Sequence, residues 1–330
     1  MRFSLTPRTT PDGAYRYMLP VDVGTPAQSV QLLLDTGSHL VFIRDEAYGA
    51  CESAPAHGRC FNSSASTSIE LSGGDITSFS YVVDVDVLLI GKYKGATDNV
   101  DLTPLANPSA LPYPLPTLAL PLALLGTGAL GMGPTSLMPY FWADAAGVLG
   151  ISHQASGPWE SLLEAAQAVG YTLDINGRPE NGPSYLTLLA AGAPAPAPPP
   201  MRSSAEGRAW AAVGSTQWSS LQLPGAAFQM LDLYGLSVCG ADLLGKTSAS
   251  WPALVDTGSS CLTLPSDMFT SLLAWSPNIH CAPASPSEDA RDLWAAVDPS
   301  HIPSRRCYLP AGLSAAALPV LTFSLSQVHL

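Results

Sequence analysis

The tetrapeptide Asp-Thr-Gly-Ser occurs twice in this chain, at 35–38 and at 256–259, each time between apolar runs. Residues 30 to 43 read VQLLLDTGSHLVFI and residues 252 to 264 read PALVDTGSSCLTL. At average residue frequencies, two chance copies in a chain of 330 residues are roughly a one-in-a-hundred-thousand event, so the chain reads as an internal duplication. Two related halves are expected, each presenting one aspartate from an apolar strand.

An aspartate between two apolar strands sits on a tight turn, and Gly37 and Gly258 permit the backbone conformation and close approach that such a turn needs. Thr36 and Thr257 supply hydroxyls able to cross-link the two turns, and Ser38 and Ser259 could hydrogen-bond the outer carboxylate oxygens. Two carboxylates held a few ångströms apart do not both ionise easily, so they share a proton. The ionised member can then activate a water while the protonated member polarises a peptide carbonyl, with no metal and no covalent intermediate. A single Asp-Thr-Gly could be an Asx-turn whose aspartate accepts its own backbone N–H groups. Two of them, in flanks that would penalise a buried unpaired carboxylate, point instead to Asp35 and Asp256 as a catalytic pair.

The rest of the composition narrows the alternatives. With 47% hydrophobic and 12% charged residues the chain can bury a sizeable core. Fourteen Lys and Arg against 26 Asp and Glu give a formal net charge of −12, with no basic run to neutralise phosphates, so nucleic acid is not an expected partner. The acidic balance would suit an acidic compartment. The six histidines are scattered, with no HExxH or paired i, i+4 set, so no metal and no cofactor is expected. The absence of a GxSxG elbow disfavours a serine hydrolase.

Six cysteines stand at 51, 60, 239, 261, 281 and 307, with no CxxC or Cys/His metal spacing, and read as disulfide candidates. Cys51 with Cys60 and Cys281 with Cys307 would close short local loops, while the pairing of Cys239 and Cys261 stays open. Such bridges persist in oxidising compartments, and the sequon Asn62-Ser63-Ser64 also fits a secretory route. The expected location is the secretory pathway, outside the cell or in an acidic vacuole- or lysosome-like compartment. Met1 to Ala14 is polar and shows no signal-peptide h-region. Leu115 to Met132 is the most apolar stretch, but Pro116, Pro121 and several glycines make it a poor membrane helix, so no membrane span is expected.

Strand signals dominate along the chain: Tyr17 to Val23, Ser29 to Leu34, Leu40 to Arg44 and Ser80 to Ile90. Leu162, Leu163, Ala166 and Val169 predict a helix over Trp159 to Val169, and Asp267 to Trp275 a second. A Pro/Ala tract, LAAGAPAPAPPP, marks a spacer. The expected fold is mostly β and bilobal: an N-terminal lobe over 1–192 with a loop insertion at 104–134, a linker at 193–209, and a C-terminal lobe over 210–330.

These residues resemble the pepsin-like family of aspartic endopeptidases, over most of the chain from Tyr17 onward. VDVGTPAQSVQLLLDTGS resembles the family's opening hairpin, and CFNSSAST its Phe-x-Pro-x-x-Ser-Ser-Thr stretch. Gly147-Val148-Leu149-Gly150-Ile151 resembles the apolar-apolar-Gly strand that threads behind the first aspartate, WPALVDTGSS the second active-site strand, and Cys281 and Cys307 match the C-lobe bridge. The resemblance implies two β-barrel-like lobes, an extended peptide or protein substrate in the central cleft between them, and a monomer. Four departures stand out. The flap position that normally carries tyrosine is Leu71, with Tyr81 as a less well-spaced candidate, and the tryptophan that would bond that tyrosine is Phe42. Pro104 to Pro134 is an apolar insertion. No second apolar-apolar-Gly motif follows Asp256, so the C-terminal lobe reads as incomplete and the flank Ala253 to Val255 as uncovered. The rival reading is a pepsin-like pseudoenzyme that binds peptide or protein without turnover.

Overall fold

A computed structural model describes residues 1–9, 15–48, 60–72, 77–84, 87–102, 117–125, 130–132, 145–152, 161–175, 182–190, 230–244, 251–259, 262–275, 279–283, 305–308 and 319–324. Among these the chain is mostly β. The first strands are β1 (Arg2–Thr9), β2 (Tyr15–Val23), β3 (Gln28–Asp35), β4 (Val41–Arg44), β5 (Glu70–Leu71), β6 (Thr77–Asp84) and β7 (Val87–Leu102). They are followed by β8 (Leu118–Leu125), β9 (Leu130–Met132), β10 (Gly147–Gly150), helix α1 (Leu162–Ala165), β11 (Ala168–Asp174) and β12 (Ser184–Ala190). Next come β13 (Met230–Leu233), β14 (Gly235–Val238), β15 (Ala241–Asp242), β16 (Trp251–Leu254), α2 (Ser266–Ala274), β17 (His280–Pro283), β18 (Arg305–Tyr308) and β19 (Leu321–Ser324).

Strands β2, β3, β10, β4, β8 and β7 follow one another in hydrogen-bonded order, and β7 returns to β2, closing the path into a barrel. Closure leaves these strands no free edge, and their inward side chains form the main core: Val21, Leu32, Leu34, Ile43, Leu120, Leu122, Leu124 and Leu149. Strand β10 runs parallel to β3, with Val148 opposite Leu33, Leu149 opposite Leu34 and Gly150 opposite Asp35, and antiparallel to β4 on its other side. The expectation that Val148 and Leu149 cover the flank of the first aspartate is borne out. Outside the barrel, β1 pairs with β2 and carries the sheet on through β12 to β11.

Three expectations need correction. Leu118–Leu125 lies within the stretch read as a loop insertion, yet it is a barrel strand, parallel to β4 and antiparallel to β7. Leu118, Leu120, Leu122 and Leu124 alternate inward at period two, a pattern diluted in the sequence by Ala119, Ala123 and Pro121 and by the lack of β-branched residues. Ser80 to Ile90 is two strands rather than one, since β6 ends at Asp84 and β7 begins at Val87, and the two pair antiparallel. The first helix is a single turn. Ser161 and Glu164 form a capping box that starts it, but Gln167 adopts φ 51°, a left-handed conformation that ends it, and Val169 is exposed on β11.

The C-terminal portion forms smaller sheets, β13 with β16, β15-β14-β19, and β17 with β18. A second core cluster of Leu233, Leu236 and Met268 packs with Leu243, Leu244, Ala253 and Leu264. Helix α2 falls where the spacing predicts it. The linker at 193–209 lies outside the described residues. No helix among the described residues is long and apolar enough to cross a membrane.

Candidate active site

The two Asp-Thr-Gly-Ser turns meet. Asp35 ends β3 and is buried, and Asp256 follows β16 by two residues and is half-buried. The threonines cross between the turns in matched pairs of bonds. Thr36 Oγ1 donates to the Val255 carbonyl at 2.6 Å and accepts from the Thr257 amide at 2.9 Å. Thr257 Oγ1 donates to the Leu34 carbonyl at 2.8 Å and accepts from the Thr36 amide at 3.2 Å. Within each turn the glycine amide donates back to its own aspartate: Gly37 to Asp35 Oδ1 and Gly258 to Asp256 Oδ1, both at 2.8 Å.

The two glycines are required by close approach. A Cβ on Gly37 would stand 2.6 Å from Asp256 Cγ, and one on Gly258 2.6 Å from Asp35 Oδ1, so each turn lies against the other turn's carboxylate. The electrostatics follow from this proximity. The Asp256 carboxyl is pushed up to about 7, first by burial, then by the charge of Asp35 and a hydrogen bond to it, with the Gly258 and Ser259 amides opposing the shift. Asp256 therefore holds a proton well into the range where a free carboxylate has lost it.

The first turn is further fixed by the segment after β10. Ile151 N donates to the Asp35 carbonyl at 2.9 Å, Ser152 N to the Ser38 carbonyl at 2.8 Å, and Ser152 Oγ to the Thr36 carbonyl at 2.6 Å. Two residues that the sequence did not single out also reach the turns. Arg16 on β2 is buried and its Nη1 donates to the Gly258 carbonyl at 2.8 Å. The Tyr171 phenol on β11 lies beside the Thr36 side chain. Burial pushes it well above the ordinary value, the Thr36 side chain opposes that shift, and the charges of Asp35 and Asp256 add to it. An arginine set between Tyr15 and the run Tyr17 to Val21 was the available signal for Arg16.

Ser38 acts differently from expectation: its Oγ has no hydrogen-bond partner among the described residues, so it does not bond the carboxylate. The Ser259 backbone amide reaches Asp256. Leu71 lies exposed on β5 opposite Ala96, and Tyr81 lies on β6 opposite Leu89. The Leu71 side chain carries no group that could hydrogen-bond the two aspartates. Phe42 is buried on β4 opposite Val148.

Among the cysteines, Cys60 is disulfide-bonded, and Cys51 lies outside the described residues. Cys281 and Cys307 face each other in the β17–β18 register. Cys239 is a free, exposed thiol, which removes it from the bridge candidates, and Cys261 lies outside the described residues. Asn62 of the sequon is partly exposed, with its Oδ1 buried.

Residues 16–100 match the family model described as eukaryotic aspartyl protease, which bears out the resemblance to pepsin-like peptidases. The matched stretch begins at Arg16 on β2 and contains β3, the whole first turn and β4. No curated protein matches the chain.

Proposed function

We propose that this chain is an aspartic-type endopeptidase in which Asp35 and Asp256 hydrolyse a peptide bond through an activated water. The observation that carries the reading is the meeting of two turns 221 positions apart, cross-linked through Thr36 and Thr257, with one proton retained on Asp256. In the working form Asp35 takes a proton from the water as its oxygen attacks the scissile carbonyl carbon, and Asp256 gives its proton to the carbonyl oxygen. The tetrahedral diol then collapses, the C–N bond breaks, and the leaving nitrogen takes up a proton from the pair. The substrate is an extended peptide or protein held in a cleft between two lobes, divided near the Pro/Ala linker, and the enzyme works as a monomer. Oxidising conditions on a secretory route, ending outside the cell or in an acidic vacuole- or lysosome-like compartment, fit the disulfide at Cys60 and the facing Cys281 and Cys307, whose register suits a second bridge.

A second reading has its own observation. Leu71 is exposed where a flap tyrosine would stand, and Phe42 offers no N–H, so the flap cannot be tied by that hydrogen bond. A slow enzyme or a binding-only relative would follow. Retention on an immobilised statine-type transition-state mimic, followed by casein cleavage at acid pH, separates the two: an enzyme shows both, a binder at most the first.

The decisive test replaces each carboxylate. Asp35→Asn and Asp256→Asn should each abolish cleavage at acid pH while the circular dichroism spectrum and cooperative unfolding persist. Substantial residual turnover in either variant would sink the dyad assignment.

A further inference from the structure

The two catalytic turns are anchored by different means. The first is bound from beneath by Ile151 and Ser152 through three hydrogen bonds. For the second, the described ties from outside the turn itself are the threonine cross-links and the bond from Arg16. Arg16 sits on β2 opposite Arg8 of β1, only 6% exposed, 242 positions from the residue it contacts. Taking a guanidinium out of water is costly unless its donors are satisfied, so its direction is fixed by the carbonyl it meets. That carbonyl belongs to Gly258, whose amide holds Asp256 Oδ1 and whose Cα lies against the Asp35 carboxylate. This bond from the barrel therefore joins the threonine cross-links in setting the distance of the second turn from Asp35.

We propose that Arg16 is a positioning residue for the catalytic pair, holding the Gly258 carbonyl so that the turn bearing Asp256 stays seated against Asp35. Its part in turnover rests on the endopeptidase reading, whereas its part in holding the turn does not. A planar guanidinium fixed by a strand restrains a carbonyl more narrowly than a flexible ammonium would. Arg16 thus does for the second turn what Ile151 and Ser152 do for the first.

The test uses the full chain carrying Arg16→Met, with Arg16→Gln alongside because it keeps a polar amide in the buried site should the methionine variant fail to fold. Amide hydrogen exchange is read at Gly258 and Gly37, which make the same bond to their own aspartates. Exchange at Gly258 should become about tenfold to a hundredfold faster, the loss expected for a charge-assisted hydrogen bond, while Gly37 changes little. In the active protein kcat should fall by about the same factor with KM nearly unchanged, because a displaced carboxylate misses the transition state rather than the substrate. If the wild type cleaves nothing but exchange still accelerates at Gly258 alone, the endopeptidase reading fails and the positioning role stands. Equal acceleration at both glycines, or none at Gly258, overturns the proposal.

Discussion

The same four residues, Asp-Thr-Gly-Ser, stand in two very different settings. Leading into Asp35, Leu32, Leu33 and Leu34 are at most 1% exposed, between β2 and β10. Leading into Asp256, Leu254 is 43% and Val255 44% exposed, and β16 pairs with β13 alone among the described strands. Yet the glycine amides reach their aspartates at the same 2.8 Å in both turns. Turn geometry is thus written locally in the tetrapeptide, whereas rigidity comes from what packs behind it. The first arm is held by burial, each leucine contributing about 1.5 to 3 kcal/mol as an upper estimate. The second is held by polar bonds across to the first.

The largest expected effects come from forcing the turns apart. Gly37→Ala would press a methyl onto Asp256, and Gly258→Ala would press one onto Asp35. The buried Asp35 arm does not yield, so in both variants the second turn should move, and cleavage should fall by about a hundredfold or more for a displacement near 1 Å. Steady-state assays at acid pH check this, and near-normal turnover in either variant would show that the described contacts are looser than they stand. Next comes truncation of the arms. Leu34→Ala should cost about 2 to 5 kcal/mol in urea unfolding, and Leu254→Ala less than about 1 kcal/mol. Equal costs would mean that the second arm is covered in solution.

Which parts were legible in the sequence follows the same division. The turns and the strands β2 to β4 could be read because each rests on a short apolar pattern around a fixed motif, and the passage of Val148 and Leu149 beside the first aspartate because that segment resembles the family's threading strand. Strand β8 could not, because its alternating leucines are interleaved with alanine and proline, which carry little strand preference. Tyr171 was hidden for a related reason: Leu162, Leu163, Ala166 and Val169 fit a helical period, and only the left-handed Gln167 breaks it before β11. Arg16 stands out as an anomaly beside the run Tyr17 to Val21, but its partner lies so far along the chain that no local pattern could name it.

A smaller effect distinguishes the arms by charge. The Asp256 carboxyl is raised to about 7 by burial and by Asp35, against an unfolded value near 3.9. Between those values the folded chain binds more protons than the unfolded one, so stability falls as pH rises from about 4 to about 7 and levels off above. Because Asp256 is half-buried and water screens part of the effect, about 1 to 2 kcal/mol is expected, rather than the full linkage value. Thermal unfolding across this window checks the sign, with Asp256→Asn removing the dependence. A wild-type stability that climbs over the same range, or an asparagine variant that keeps the slope, would contradict the assignment of the raised group. For activity the sign is the same: turnover should be greatest at acid pH and vanish as the retained proton is lost near 7.

The smallest predicted change concerns Tyr171, which brings the β11–β12 hairpin beside the better-anchored turn. Burial raises its phenol, so the hydroxyl beside Thr36 stays protonated through neutral pH. Tyr171→Phe removes this hydroxyl while keeping the ring, which is partly buried against the main core. The loss should be about 0.5 to 1.5 kcal/mol in urea unfolding, because Thr36 keeps its bonds to Val255 and Thr257 and the first turn keeps Ile151 and Ser152. Cleavage should stay within about threefold of wild type. A loss of tenfold or more would mean that the buried arm, Ile151 and Ser152 do not suffice to hold the first turn, and the contrast with a second turn that depends on Arg16 would fail.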